Sequence, residues 1–241
     1  MLANPGSGTL FTGRWRFSFL RFFPKIVGMI TDIAWDFDGT LCDSYPLITY
    51  SFQTALEQVG VHVSMQEVRK WVTITVPDAA THFHQLYHFD LPVMMQLFRQ
   101  RNEQIDYERV VPFPGVGDAL RQVVAHGGRN HLYTHRLATS VLQYLDHYGL
   151  RKYFTIELTA DKGFPRKPDP TALLTLMEKG KIKAEHLLMV GDRPIDIDAA
   201  FNAHAASCFF NSNHLSIPVH ATYAVDSYPE FCSLLEQLMR A

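Results

Sequence analysis

The sequence predicts an α/β fold: a doubly wound parallel sheet with a helical unit inserted after its first strand. Two patterns predict it. From about residue 116 onward, short apolar runs alternate with apolar stripes at helical spacing, the signature of strand–helix–strand crossovers. Between residues 44 and 105 the strand-like runs vanish and only helical periodicity remains. A third clue is the polar residues that end several of the apolar runs, because ligands bind an open sheet at the carboxyl ends of its strands.

The first strand is the run 30–37 (ITDIAWDF), which passes into Asp38-Gly39-Thr40 and so turns tightly. Ile48, Phe52, Leu56 and Val59 then share one helical face, closed by Gly60. Ser64 and Glu67 have capping-box spacing ahead of Val68, Trp71 and Val72. Further helices are expected at 79–89 and 92–105, the second with Met94, Leu97 and Phe98 inward. The Pro- and Gly-rich stretch 110–116 reads as the return hinge. Val116, Leu120, Val123 and Val124 line the next helix, and a strand follows at 131–133. Val141, Leu142, Leu145 and Tyr148 form a helix ended by Gly149. After a short strand at 154–158, Asp169-Pro170 forms an N-cap and N1 pair opening a helix to about Glu178. The strand at 186–190 runs into Gly191-Asp192. A helix through Ala199 and Ala203, a strand at 206–210, and a last helix carrying Phe231, Leu234, Leu235, Leu238 and Met239 complete the chain. The expected division is an N-terminal extension at 1–28, a Rossmann-like core at 29–43 and 111–241, and a helical cap at 44–110.

Composition narrows the function. Of 241 residues, 47% are hydrophobic and 19% charged, which leaves ample chain for a core. A net charge of −2 argues against a dedicated nucleic-acid binder, whose surface should be strongly basic. Three cysteines (Cys42, Cys208, Cys232) are too few and too scattered for a disulfide framework or a zinc cluster. No run reaches the roughly 18 apolar residues of a membrane span, so a cytoplasmic protein is expected. Residues 1–28 mix Arg14, Arg16, Arg21 and Lys25 with crowded aromatics, and Arg21 and Lys25 interrupt any secretory apolar region. Met29 is the expected functional start. The alternative for the segment is a basic aromatic strip that touches a membrane surface or a partner.

The strand ends carry the chemistry. The first gives Asp36-Phe37-Asp38-Gly39-Thr40, the second Thr134, and the fourth Gly191-Asp192 with Asp196 four residues on. Lys167 lies between them in Arg166-Lys167-Pro168-Asp169-Pro170. Carboxylates gathered at buried strand ends would repel one another without a cation, and oxygen-only ligands favour a hard ion, Mg²⁺ first.

The order DFDGT, LYT, RKPDP and VGDRPID resembles the four motifs of the haloacid dehalogenase-like superfamily, phosphatase branch. The helical insertion is similar to the α-helical cap of its phosphoglycolate-phosphatase-like group. This resemblance implies a Mg²⁺-dependent hydrolysis of a small phosphate monoester: a phosphoglycolate-like compound, a sugar phosphate or a nucleotide. It implies that Asp36 is the nucleophile that becomes an aspartyl-phosphate. Asp38 would be the general acid and then the base, its backbone carbonyl also meeting the metal. Thr134 and the amide of His135 would hold phosphate oxygens, and Lys167 would balance the charge of nucleophile and phosphoryl group. Asp192 would be a metal ligand, and Asp196 a ligand or a partner that orients waters or Lys167.

Other residues carry weaker signals. His135, Arg136 and Arg193 flank the motifs and are candidates for touching the organic part of the substrate. His82, His84 and His88 cluster in the helical unit but lack any zinc-site pattern. Cys42 is expected to pack. Tyr45, Trp71 and the cap histidines are candidates for reaching the pocket. Two other functions fit the pattern: a phosphomutase of the same superfamily, and a catalytically idle binding or regulatory module. Asp38 argues against a dehalogenase. Against a phosphonatase stands the cap's single lysine, Lys70, in a plain helical context.

Overall fold

A computed structural model describes residues 29–214 and 219–240. The N-terminal extension therefore lies outside the described residues. A six-stranded parallel sheet forms the centre, built from β1 (Asp32–Trp35), β4 (Arg129–Tyr133), β5 (Phe154–Leu158), β6 (Leu187–Gly191), β7 (Ala206–Phe210) and β8 (Tyr223–Val225). Their spatial order is β5-β4-β1-β6-β7-β8, every pairing parallel. Two short strands, β2 (Cys42–Asp43) and β3 (Val111–Pro112), pair antiparallel.

The sheet is wound on both faces because successive side chains of a strand point opposite ways. Ile33 and Trp35 of β1, with Leu188 and Val190 of β6, join the core against α5 (Val116–Ala125), α6 (Ala138–His147) and α9 (Tyr228–Leu238). Ala34, Leu187 and Met189 face the other way, against α7 (Thr171–Gly180) and α8 (Pro194–Asn202). With both faces covered, the central strands read as nearly continuous apolar runs.

Helices α1 (Tyr45–Gln58), α2 (Met65–Val72), α3 (Val76–Tyr87) and α4 (Leu91–Asn102) follow β2 with no intervening strand. They share a core of their own around Phe52, Phe83, Met94 and Phe98. The β2–β3 pair is where the chain leaves the sheet for this unit and returns, so the stretch read as a hinge contains a strand. None of the helices is long and apolar enough to cross a membrane among the described residues.

Three local expectations shift. Ser64 Oγ does accept from the Glu67 N–H at 3.2 Å, but the Glu67 carboxylate accepts from Trp71 Nε1 at 3.1 Å instead of reaching back to Ser64. Helix α3 begins earlier than predicted, because Thr75 Oγ1 accepts from the Asp78 N–H and Pro77 suits the first turn. Helix α7 begins at Thr171, later than predicted. Asp169 Oδ1 accepts from the Thr171 N–H at 2.9 Å, so the aspartate makes a turn two residues ahead and Pro170 takes the cap position.

Candidate active site

Adjacent strands aim the site residues at one edge. Trp35 of β1 lies opposite Leu132 of β4 and Val190 of β6, so Asp36, Tyr133 and Gly191 leave the sheet side by side. The Asp36 N–H still donates to the Val190 carbonyl at 2.9 Å, which fixes where its carboxylate starts. The chain then turns through Gly39 at φ +71°. A Cβ on Gly39 would sit 2.1 Å from Asp192 Oδ2, and one on Gly191 would sit 2.3 Å from Asp196 Cβ. Only glycine lets these two carboxylates come so close to the backbone.

Lys167 organises the centre. Its Nζ donates to Asp36 Oδ1 at 2.9 Å, Asp196 Oδ1 at 2.7 Å and the Tyr133 carbonyl at 2.9 Å, which uses all three protons. Lys167, Asp36 and Asp196 are all buried. Burial pulls the Lys167 ammonium down, but the facing Asp196 and Asp36 charges outweigh it and hold it above the ordinary lysine value. The second oxygen of Asp196 accepts from the Arg193 N–H at 3.1 Å, at the start of α8. Asp196 is thus pinned at both oxygens.

Asp192 joins the same cluster. Carboxylate oxygens of Asp36, Asp192 and Asp196 lie within 4.8 Å of one another. Burial first, and then the Asp196 and Asp36 charges, push the Asp192 carboxyl well above the usual range. Its Oδ2 accepts from the Tyr45 hydroxyl at 2.7 Å and from Asn213 Nδ2 at 3.4 Å, while its buried Oδ1 has no hydrogen-bond donor among the described residues. Arg193 lies across these carboxylates, with Nη2 3.3 Å from Asp36 Oδ2 and Nε 3.6 Å from Asp192 Oδ1. A compact set of hard oxygens with one unpartnered acceptor fits a small divalent cation better than a soft metal. Of the three, only Asp192 keeps an oxygen without a donor among the described residues; both oxygens of Asp36 and of Asp196 already accept bonds.

Asp38 sits at the rim. Its Oδ1 accepts from Ser44 Oγ at 2.5 Å and from Arg136 Nε at 2.7 Å, and its Oδ2 takes no bond from the described residues. Arg136 is buried, over Phe37 and Tyr144, and also donates to the Asn102 carbonyl at 3.1 Å. Its guanidinium links Asp38 to the end of α4, an anchoring position. Thr134 ends β4, buried, with its hydroxyl oxygen accepting from the Arg136 N–H at 3.1 Å. His135 Nε2 accepts from the Lys167 N–H at 2.9 Å. Burial, with Lys167, Arg166 and Arg193 nearby, pushes the His135 imidazole down to about 2, so it stays neutral.

The remaining candidates divide. Cys42 is buried in the core, and burial pushes its thiol up, as suits packing. His82 stacks on Trp71 with ring centroids 3.7 Å apart, His84 Nδ1 bonds the Phe89 carbonyl at 2.8 Å, and His88 ends α3 in a left-handed turn. The rings of His82 and His84 are occupied singly, and among the described residues the three histidines form no metal-ligand group. Tyr45 does reach the carboxylates. Ser44, Ser212 and Asn213 were not legible as site residues, and only the first, six residues beyond Asp38, has a local cue.

A family model for haloacid dehalogenase-like hydrolases matches residues 33–210. A phosphoglycolate phosphatase of Vibrio parahaemolyticus is 31% identical over 84% of this chain and 95% of its own. A pyrophosphatase of Oceanobacillus iheyensis is 25% identical over 86% of this chain and 97% of its own. Among solved structures, a hydrolase from Streptococcus pneumoniae is 31% identical, covering 79% of this chain and all of its own (100%), with a TM-score of 0.55. In fold alone, an HAD-superfamily hydrolase from Geobacter sulfurreducens is also similar, with a TM-score of 0.64 at 24% identity, over 87% and 98% of the two chains. With the family's span running from β1 to β7 and the acidic strand ends inside it, the chain is an enzyme of the haloacid dehalogenase-like hydrolase family.

Proposed function

We propose that the protein is a Mg²⁺-dependent phosphatase that hydrolyses a small phosphate ester through an aspartyl-phosphate on Asp36. The observation that carries this reading is the buried Asp36–Lys167–Asp196 network with Asp192 beside it. A structural ion pair needs one carboxylate per ammonium, whereas here three carboxylates converge on a strand end.

Asp36 attacks phosphorus as the bond from phosphorus to the leaving oxygen breaks, and that oxygen takes the proton carried by Asp38. Water then attacks the phosphorus of the acyl phosphate, gives its proton to Asp38, and frees Asp36. Asp38 exchanges this proton at Oδ2, because Oδ1 is held by Ser44 and Arg136. Lys167 holds Asp36 in orientation and, with the Thr134 hydroxyl and the amides after β4, offsets charge on the phosphoryl oxygens. Asp36, Asp192 and the Asp38 backbone carbonyl would hold Mg²⁺, which would supply further neutralisation of that charge. Helices α1–α4 act as the cap at 44–110. The start of α1 supports this, since Ser44 and Tyr45 donate to Asp38 and Asp192 and so join this unit to the strand-end carboxylates.

Relatives are named for phosphoglycolate and for pyrophosphate. Both compounds carry a second anionic group close to the reacting phosphate, which supports a small, doubly anionic substrate here. The test is release of phosphate from p-nitrophenyl phosphate. Turnover should require Mg²⁺ and fall at least about a thousandfold in Asp36→Asn. Turnover that survives in Asp36→Asn, or that persists in excess EDTA, would overturn the mechanism.

A further inference from the structure

A cleft with basic and polar walls adjoins the carboxylates. A cleft of about 390 Å³ lies between the last turn of α2 and the loop that follows β7. That volume suits a metabolite-sized ligand. Arg69 and Lys70 line one wall, with Ser212, Asn213 and His214 opposite, and none of the lining residues is acidic. The far wall is tied directly to the catalytic edge. Ser212 Oγ donates to the Gly39 carbonyl at 2.7 Å, and Asn213 Nδ2 lies 3.4 Å from Asp192 Oδ2. Asp192, whose carboxylate gathers with that of Asp36, thus borders the cleft through Asn213.

The two cations stand side by side on one wall of the cleft. Arg101, Arg109, Arg129, Arg136, Arg151 and Arg193 each face a carboxylate. Arg69 and Lys70 face none among the described residues. Basic residues often sit in a last helical turn to satisfy its carbonyls. At this turn the task falls to Thr73, whose hydroxyl donates to the Arg69 carbonyl at 2.8 Å and to the Lys70 carbonyl at 3.2 Å. The side chains remain exposed, a concentrated positive potential beside a polar wall.

Resting on the phosphatase reading, we infer that this cleft receives the second anionic group of the substrate, with Arg69 and Lys70 as its counter-ions. The substrate class is a short phosphate ester or anhydride with a carboxylate or second phosphate a few bonds from the scissile phosphorus. Asn213 lies between the two charges and fits a bridging polar group.

The experiment compares kcat/KM for phosphoglycolate and pyrophosphate with that for p-nitrophenyl phosphate, which lacks the second anion, in wild type and in Arg69→Gln/Lys70→Gln. The ratio of doubly anionic to singly anionic substrate should fall about 10- to 100-fold in the double variant, through KM rather than kcat. Arg69→Lys, which keeps the charge, should retain most of the ratio. A ratio that moves less than about twofold overturns the assignment, as does a wild type that turns over p-nitrophenyl phosphate but neither doubly anionic compound. No turnover of any of the three substrates would instead defeat the phosphatase reading itself.

Discussion

Replacing Lys167 with methionine isolates what the buried ammonium does. Methionine keeps the length and apolar stem of the side chain and removes only the charge and its three protons. Two buried carboxylates, Asp36 and Asp196, then lose a cation at 2.9 and 2.7 Å, and the Tyr133 carbonyl loses its donor. Removing one partner of a buried ion pair costs about 3–5 kcal/mol, because the charge left behind has no water to turn to. Arg193 stays 3.3 Å from Asp36 Oδ2 and offsets part of this, which points to the lower half of the range. For a chain of this size the melting temperature should fall by about 6–16 °C. Thermal and urea unfolding in EDTA, followed by tryptophan fluorescence, reads the effect without metal. The second arm is Lys167→Met/Asp196→Asn. Deleting the stranded negative charge should restore at least about 1 kcal/mol, a non-additivity that a packing defect would not give. A loss below about 1 kcal/mol in the single variant, or a double variant that is worse still, would refute the view that Lys167 neutralises this cluster.

Two other outcomes follow from contacts away from that ammonium. Tyr45→Phe removes the hydroxyl that fixes Asp192 Oδ2, and partners of this kind are worth 10- to 100-fold in metal affinity, so Mg²⁺ titration by calorimetry should show a loss of about that size. At the opposite end of β1, burial pushes the Asp32 carboxyl up, but hydrogen bonds from His131, Arg129 and Thr31 outweigh it and hold it below its ordinary 3.8. Its folded pKa lies under its unfolded one, so its stabilisation is full above 3.8 and is lost as pH falls through the folded value. The urea midpoints of wild type and Asp32→Asn should therefore differ most near neutrality and converge below 3.8; a gap that widens in acid would contradict this.

What was legible in the sequence was local. The strand ends at Asp36 and Gly191, and the helix stripes between them, show because their determinants sit within a few residues of one another. Strand β8 did not show. Its three residues are too few for an alternation to register, and it exists as a strand through pairing with Cys208, Phe209 and Phe210 of β7. The β2–β3 pair is invisible for a stronger reason, since Cys42 meets Pro112 across the whole helical unit. Contacts that complete the site share this character. Tyr45 and Asp192 are 147 residues apart, and Ser212 and Gly39 are 173 apart, so no periodicity links them. Lys70 sits in the plain helical setting that its neighbours imply, and the fold sets that helix end across a cleft from the loop after β7.

Charge balance within the site explains why one carboxylate differs from the others. Asp36 has Lys167 and Arg193, Asp196 has Lys167, and Asp38 has Arg136, each at hydrogen-bonding distance. Asp192 has a neutral tyrosine hydroxyl, a distant amide, and a guanidinium at 3.6 Å that makes no hydrogen bond to it. Asp192 is therefore the least compensated carboxylate of the metal-free protein, in line with the upward push on its carboxyl, and the one a cation relieves most. Asp192→Asn keeps the shape and can still accept from Tyr45. In EDTA this variant should be more stable than wild type, by about 1–2 kcal/mol, because neutralising a poorly paired buried ion is commonly favourable. Addition of Mg²⁺ should raise the melting temperature of wild type and leave that of Asp192→Asn where it was. If Asp192→Asn were instead less stable than wild type in EDTA, Asp192 would be a paired structural carboxylate and the cation would have to bind elsewhere.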